Sequence, residues 1–364
     1  MICAGGTGGG IYPAIAVLEA FNQNEIEVLW VGSQNSLDAT LVRNAKSVPY
    51  REIPAAGVHG VGIRNLPGNL LKLINGFAAS RAILKSFQPD VIFFTGGYLA
   101  VPMAIAALRY PKVVFVPDVE PGLALKVISK FAKKIAVSIS ASKQYFSNQS
   151  KIIVTGYPTR AGFSKINKEE ARRIFQISEP PPTVLVFGGS RGARSINRVI
   201  MDIIPEITNF AQIIHVSGEL DWPTISAYYE GLAPAIRQKY FPYPYLHDNM
   251  PHAMAAANLV VSRAGASTLG EYPILGLPAI LVPYPHAWKY QKQNAAFMVE
   301  NGAAILLEDD ALQEKLLETI KELLMNPERL EQMKNNMLAL AHPQSAAVIA
   351  QLILDCQLEK EKAQ

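Results

Sequence analysis

The chain has 364 residues, 49% of them apolar and 18% charged, with two cysteines, Cys3 and Cys356. That length suits two ordinary domains with filled cores, and two cysteines exclude a disulfide framework and a cysteine-based zinc site. No apolar run reaches the ~20 residues that cross a bilayer, and Met1 leads straight into a strand and a Gly-rich loop rather than a signal peptide. A cytoplasmic protein is the simple expectation. The net charge of +4 is unevenly placed. Residues 1–160 hold 16 Lys and Arg against 8 Asp and Glu, while residues 161–364 hold 18 against 22. The basic half is expected to meet something anionic: a phospholipid surface, an anionic lipid substrate or nucleic acid. Aromatic residues do not interleave with the basic ones, which ranks a membrane above nucleic acid.

Residues 1–4 read as a short strand running into Gly5-Gly6-Thr7-Gly8-Gly9-Gly10. A helix is expected from Pro13, a residue suited to the first helical position, to about Asn22. The Gly run lacks the lysine of a P-loop and does not fit Gly-x-Gly-x-x-Gly. It is either a loop that lets a diphosphate or sugar approach backbone amides, or simply a tight turn. A strand over 28–32 and a helix over 37–45 follow. Residues 53–62 read as a flexible loop with His59, a position more often at the surface than catalytic. Residues 66–84 read as an amphipathic helix with Leu70, Leu71, Leu73, Ile74 and Phe77 on its stripe, suited to a core or, in part, to a membrane. A strand over 90–94 ends in a second Gly-rich loop, Thr95-Gly96-Gly97-Tyr98. A helix over 102–108 and a strand over 113–116 lead to Pro117-Asp118-Val119-Glu120-Pro121-Gly122. Asp118 and Glu120, just past a strand end, are candidate general bases or else solvated loop acids. A helix over 123–134 carries Lys126, Lys130, Lys133 and Lys134 as one basic face. Strands over 135–138 and 152–155 complete a parallel, doubly wound sheet, and residues 156–160 read as an interdomain linker.

The second half repeats the architecture. A helix over 168–175 and a Pro-rich turn precede a strand over 184–187, which enters Gly188-Gly189-Ser190-Arg191-Gly192-Ala193 and a helix from Ser195. A strand over 213–217, a mostly helical 222–240 and a short strand over 243–246 follow. His247 to Met250 is expected to cap a helix through Ala257. The stretch with the most chemistry is next. A buried strand over 259–261 runs into Ser262-Arg263-Ala264-Gly265-Ala266, a tight turn, and a helix that Ser267 or Thr268 can cap with Glu271 in its first turns. Helix N-termini receive anionic groups, and a carboxylate one turn in is placed to accept hydrogen bonds from a ribose diol. A structural loop with a surface glutamate fits the same residues. A strand over 279–282 leads to His286, Gln291 and Asn294. Both loops leave the carboxyl ends of parallel strands, where open α/β sheets bind ligands. A strand over 303–306 and helices over 312–325, 327–341 and 345–360 close the chain.

Six segments match one family in order: Gly5 to Gly9, Gly96 to Tyr98, Thr155 to Arg160, Gly188 to Ala193, Ser262 through Glu271, and His286 through Gln291 and Asn294. Together they resemble the MurG family of N-acetylglucosaminyltransferases, which make the disaccharide of the peptidoglycan lipid precursor. The resemblance spans essentially the whole chain. It implies a GT-B fold of two Rossmann-like domains facing a cleft. Residues 1–160, with 342–364 packed back on them, would form an acceptor and membrane-facing domain, and 161–341 a donor domain. It further implies inversion at the sugar, no metal and no cofactor, UDP-N-acetylglucosamine as donor, a pyrophosphoryl-polyprenol acceptor, no nucleic acid, and peripheral attachment at the cytoplasmic face of the membrane. Carried over by position, Ser190 resembles the phosphate-contacting serine, Arg160 the linker arginine near the diphosphate, and Glu271 the ribose-binding glutamate. Ala266, Ser267 and Thr268 resemble the turn that approaches the donor phosphates, His247 a position whose backbone reads the uracil, and Gln291 one of two sugar-binding glutamines. Thr7, Gly8, Gly9, Gly10, Gly96, Gly97 and Tyr98 fall in the acceptor-side loops.

Three departures stand out. The first loop ends in Gly10 where the family has a histidine proposed as base. The family's His-Glu-Gln-Asn loop is replaced around Asp118 to Pro121, and the first of the paired glutamines is Tyr290. Donor-nucleotide features mostly remain while acceptor-side features are changed, so the base falls to Asp118, then Glu120, with His59 as second choice. Three readings follow: the lipid-linked N-acetylglucosaminyltransferase, a GT-B transferase with another glycolipid acceptor or donor, and a non-catalytic UDP-sugar-binding paralogue. A UDP-sugar epimerase of similar fold is a smaller alternative.

Overall fold

The structure, a computed structural model, describes residues 1–5, 8–21, 26–34, 39, 42, 48–56, 66–189, 192–286 and 290–361. The chain divides into two compact units, Met1–Ala161 with His342–Gln364, and Gly162–Ala341. The expected helix over 37–45 falls largely outside the described residues.

The first unit is built on a parallel sheet of seven strands: β1 (Ile2–Cys3), β2 (Trp30–Ser33), β3 (Tyr50–Ile53), β4 (Ile92–Phe94), β5 (Lys112–Val116), β6 (Lys134–Val137) and β7 (Ile152–Val154). Their spatial order is β3-β2-β1-β4-β5-β6-β7. β5 is buried along its whole length, as a strand covered on both faces must be. The sequence reading has no strand at 50–53. This is an edge strand whose Arg51 and Glu52 are exposed, so only Ile53 reports its burial. The first helix also differs. It spans Gly8–Ala20, with Pro13 inside it rather than at its start. In its first turn the Thr95 hydroxyl donates to the Gly10 carbonyl at 2.7 Å. The expected basic helix over 123–134 is shorter. It ends at Ser129, because Lys134 already pairs with Val113 as the first residue of β6. Lys126, Lys130, Lys133 and Lys134 therefore do not share one helical face.

The C-terminal helix, Ser345–Glu361, packs on the helix Gly8–Ala20. Its first residue fastens it, the Ser345 hydroxyl donating to the Gly156 carbonyl at 2.7 Å. Gly156 has φ +82° and no room for a Cβ against His342, which is why glycine occupies that position. Ion pairs Lys133–Glu359 at 2.6 Å and Lys360–Asp90 at 2.8 Å tie its far end.

The second unit carries six parallel strands: β8 (Thr183–Phe187), β9 (Gln212–Val216), β10 (Tyr240–Tyr243), β11 (Leu259–Ser262), β12 (Ala279–Leu281) and β13 (Ala304–Leu306), ordered β10-β9-β8-β11-β12-β13. β10 lies three residues earlier than the sequence predicts. The helical stretch before it is two short helices, Trp222–Glu230 and Pro234–Arg237, and Tyr240 is drawn into the sheet.

The draw is a buried polar network. His215 of β9 is fully buried, with Nδ1 at 2.8 Å from the Tyr240 hydroxyl and Nε2 at 3.0 Å from Asn197 Oδ1. Asn197 Nδ2 donates to the Ser217 carbonyl at 2.8 Å and to Asp221 Oδ2 at 2.9 Å. Those two acceptors fix which end of the amide faces the histidine. His215 Nε2 must then carry the proton, and Tyr240 must donate to Nδ1. Burial pulls the His215 pKa down to about 3, with Asp221 opposing the shift. The folded chain thus refuses a proton that the unfolded chain accepts below its ordinary pKa of about 6.5. Stability should fall as pH drops from about 6.5 toward 3, by about 3 kcal/mol at pH 4 from this group. In His215→Gln, which does not titrate, thermal unfolding should lose that part of the pH dependence. An unchanged slope would exclude the assignment.

Candidate functional site

Strand order reverses at one place in each sheet, between β1 and β4 and between β8 and β11. Chains leaving two such neighbours diverge to opposite faces, which opens a crevice at the carboxyl ends. Four of the Gly-containing segments singled out in the sequence, at 5–10, 95–98, 188–193 and 262–266, leave these four strands.

At the first reversal the loops after β1 and β4 interlock. Gly97, at φ +83°, lies so close to the Gly5 carbonyl that a Cβ would collide with it. Gly10 is buried against Thr95, where an added Cβ would sit 3.3 Å from the Thr95 carbonyl oxygen. Gly8 and Gly9 are partly exposed in the first helical turn, Gly96 has φ +117°, and Tyr98 is exposed. Thr7 and His59 lie outside the described residues. Asp118 and Glu120 follow the adjacent strand β5, both half-buried on either side of buried Val119. The Ser138 hydroxyl holds that loop through the Pro117 carbonyl at 2.8 Å. The Arg160 guanidinium stacks over the Tyr12 ring at 5.1 Å, within the range of a cation–π contact. Arg160 belongs to the first unit, whereas Ser190, His247, Ala266 to Thr268, Glu271 and Gln291 belong to the second.

At the second reversal β8 enters Gly188 and Gly189, and Gly192 at φ +74° leads into the helix Arg194–Ile207. Ser190 lies outside the described residues. From β11 the turn Arg263 to Ser267 leads into the helix Thr268–Leu275, which carries Glu271, partly exposed, in its first turn. The expected side-chain cap is absent. Ser267 makes no capping hydrogen bond, and the Thr268 hydroxyl donates backwards to the Gly265 carbonyl at 2.7 Å. Thr268 is buried with Ala266, so its hydroxyl takes a local acceptor instead of a helix amide. Nothing lies within 4 Å of a Cβ placed on Gly189 or on Gly265, so both loops present open backbone. Amides at a helix start beside a carboxylate suit an anionic group joined to a hydroxyl-bearing one.

His247 opens a 3₁₀ turn, His247–Asn249, in front of the helix Met250–Ala256, and the N-cap residue of that helix, Asn249, makes no side-chain capping hydrogen bond. Its φ is +43° and its exposed ring meets the Tyr245 ring edge-on at 4.7 Å. The loop after β12 holds exposed Tyr284 and His286. Gln291, in the helix Tyr290–Glu300, accepts from the Tyr284 amide at 2.9 Å, and buried Asn294 donates to the Ala264 carbonyl at 3.1 Å.

Sequence reasoning gave no role to Arg263, whose side chain is only 9% exposed and pairs with Asp309. A cation one residue past a buried strand was the available signal. Also missed was an apolar groove of about 270 Å³ in the first unit, lined by Tyr98, Ile105, Leu108, Val127 and Phe131 with Lys112. Lys112 gives its stem to the groove and its ammonium to the carbonyls of Leu108 and Tyr110, at 3.2 and 2.8 Å. Burial lowers its pKa. Leu70, Leu71 and Ile74 of the helix Leu66–Phe87 are each more than half exposed. Among the described residues no helix is long and apolar enough to cross a membrane, and no group of three His, Cys, Asp or Glu is placed to hold a metal.

Residues 1–137 match the glycosyltransferase family 28 N-terminal domain and residues 183–353 its C-terminal domain. A protein of Desulforamulus reducens, named UDP-N-acetylglucosamine--N-acetylmuramyl-(pentapeptide) pyrophosphoryl-undecaprenol N-acetylglucosamine transferase, is 35% identical over 97% of both chains. One of the same name from a Roseiflexus species is 33% identical over all of this chain and 96% of its own. Among solved structures, MurG of Acinetobacter baumannii aligns over 98% of both chains with a TM-score of 0.73 and 25% identity. The UDP-GlcNAc 2-epimerase of Neisseria meningitidis, at 16% identity and a TM-score of 0.68, shares the fold alone. With two parallel-sheet units of the GT-B kind and relatives of this closeness along nearly its whole length, the chain belongs to glycosyltransferase family 28, in the MurG family of N-acetylglucosaminyltransferases.

Proposed function

We propose that this chain moves N-acetylglucosamine from UDP-N-acetylglucosamine to a pyrophosphoryl-polyprenol-linked acceptor in peptidoglycan precursor synthesis, with inversion and at a membrane surface. The observation that carries the reading is the relation, over nearly the whole chain, to enzymes named for that transfer. The second unit is assigned to the donor. Glu271 accepts hydrogen bonds from the ribose diol, the turn Ala266 to Thr268 beside the open Gly265 and the Ser190 loop receive the diphosphate, the His247 backbone reads the uracil, and Gln291 reaches the sugar. Arg160 adds positive charge for the leaving diphosphate. Amide dipoles and a cation aimed at a developing charge account for much of such a barrier.

The first unit is assigned to the acceptor, with Gly8 to Gly10 and Gly96 to Tyr98 around the attacking group. As the acceptor oxygen bonds to the anomeric carbon, its proton must pass to a base while the bonding pair leaves with UDP. Gly10 cannot accept a proton. Asp118 is half-buried directly beyond β5, beside the first crevice, which supports it over Glu120, with His59 as second choice. Gly10 and the changed loop at Asp118 to Pro121 also favour a second reading, the same transfer to a different glycolipid. Radiolabelled UDP-N-acetylglucosamine screened against lipid extracts separates the two by the product formed.

The membrane assignment rests on apolar surface more than on charge. Lys133 is paired with Glu359, and Lys126 lies 5.8 Å from the Tyr145 ring. Leu70, Leu71 and Ile74 instead present bare hydrocarbon on the unit that holds the apolar groove. Such faces enter the headgroup boundary without spanning it.

Three measurements test these assignments. Glu271→Ala should weaken UDP binding by about 1–3 kcal/mol in calorimetry, since the diol loses a charged acceptor; unchanged affinity would remove Glu271 from the site. Joint replacement of Leu70, Leu71 and Ile74 by Ser should abolish sedimentation with anionic vesicles. Reversing Lys126 and Lys130 to Glu should only weaken it, most visibly at low salt, and the opposite ranking would refute the apolar attachment. Asp118→Asn should cut turnover roughly 100-fold or more with donor affinity intact. Glu120→Gln and His59→Ala should retain most of it, and near-wild-type turnover of all three variants would leave the base elsewhere.

A further inference from the structure

We infer that Arg263 is a positioning residue that couples the two ligand-facing loops of the second unit, so that the sugar of a nucleotide sugar is held only while its guanidinium fork is intact. The inference rests on the donor reading of that unit. Arg263 leaves the end of β11. Its Nη1 pairs with the Asp309 carboxylate and donates to the Val282 carbonyl at 3.2 Å, and its Nη2 donates to the Ser195 hydroxyl at 2.8 Å. That hydroxyl donates in turn to Asp309 at 2.9 Å. The face of the guanidinium lies over the Tyr284 ring at 5.3 Å. Ser195 lies in the first turn of the helix after β8, Val282 and Tyr284 follow β12, and Asp309 follows β13. One planar cation therefore grips segments beyond the carboxyl ends of four neighbouring strands. Lysine has no equivalent, since a single ammonium nitrogen has neither the two separated Nη donors nor the planar face that lies over the ring.

The two loops it joins are not equally secure. The Glu271 side has its own anchors: Tyr272 bonds Ser262 at 2.7 Å, Thr268 bonds Gly265, Asn294 bonds Ala264, and Leu269 is buried. The loop from Tyr284 to His286 is exposed throughout. Its described ties to the rest of the unit are Arg263 and the Tyr284 amide bond to Gln291. That second bond turns the Gln291 carbonyl oxygen toward the loop. If the fork is lost, the loop and the orientation of Gln291 go first, while the nucleotide side keeps its shape.

The test is Arg263→Lys, which keeps a cation beside Asp309. UDP should bind within about three-fold of wild type, while the KM for UDP-N-acetylglucosamine rises roughly ten-fold or more. Ile320→Val, in the core of the same unit, should lower the melting temperature without changing that ratio. In the ligand-free protein, exchange of the Tyr284 amide should quicken roughly ten-fold in Arg263→Lys while the Glu271 amide is unaffected. Equal weakening of UDP and UDP-sugar, or an unmoved Tyr284 amide, would overturn the coupling. If wild type fails to bind UDP, the donor reading fails instead, and the exchange measurement still decides the role of Arg263.

Discussion

A parallel strand covered on both faces is open to solvent only at its ends. That constraint arranges both units. The middle strands β4, β5, β8 and β11 are closed in by helices, so polar chemistry is pushed to the loops at their carboxyl ends. Where the order reverses, at β1 and β4 and again at β8 and β11, successive connections part to opposite faces and the loops face a gap. Glycine collects there for reasons of space. Gly97 rides on the Gly5 carbonyl, and Gly192 on that of Ser217. Side chains at either position would push the interlocked loops apart.

The second unit supports its loops with two polar devices of opposite electrical character. Behind the first loop, His215, Asn197 and Tyr240 make a neutral relay. Its hydrogen-bond directions all follow from two acceptors, the Ser217 carbonyl and Asp221. Burial keeps the imidazole uncharged, so no ion is desolvated, and every ring nitrogen has a partner. Under the second loop, the Arg263 guanidinium is partnered by Asp309, by carbonyls and by a hydroxyl. A partly buried pair of this kind is weak evidence for stability, because desolvation offsets the attraction. Its value lies in direction: a fork fixes angles between segments that a greasy contact would leave to slide.

In the first unit a glycine decides how two loops meet. With glycine at position 10, the helix start closes onto Thr95, whose hydroxyl takes the Gly10 carbonyl. What remains next to the crevice is the loop of Asp118 and Glu120, held at its root by Ser138. On the same unit the short helices Ala100–Ala106 and Leu123–Ser129 leave Ile105, Leu108, Leu123 and Val127 uncovered. Lys112 fills the base of that groove with methylenes while its ammonium is satisfied by two backbone carbonyls.

The pattern of the chain determined its architecture. Alternating buried runs and helical stripes dictated parallel sheets in both halves, because a run as short and β-branched as Val113 to Val116 reads as a strand covered on both sides. The Gly-rich segments and the Arg263 to Glu271 turn were legible for the same local reason: a turn at the end of a buried strand is written in small residues. Long-range contacts determined the rest. β3 was hidden because an edge strand needs burial on one side only. β10 was displaced because the Tyr240 hydroxyl answers a histidine 25 residues earlier. The basic face of residues 126 to 134 dissolved because pairing with β5 claimed Lys134 for the sheet. Arg263 reads as one more surface cation until Ser195, Val282, Tyr284 and Asp309 are brought around it, and no local pattern in the sequence specifies that meeting.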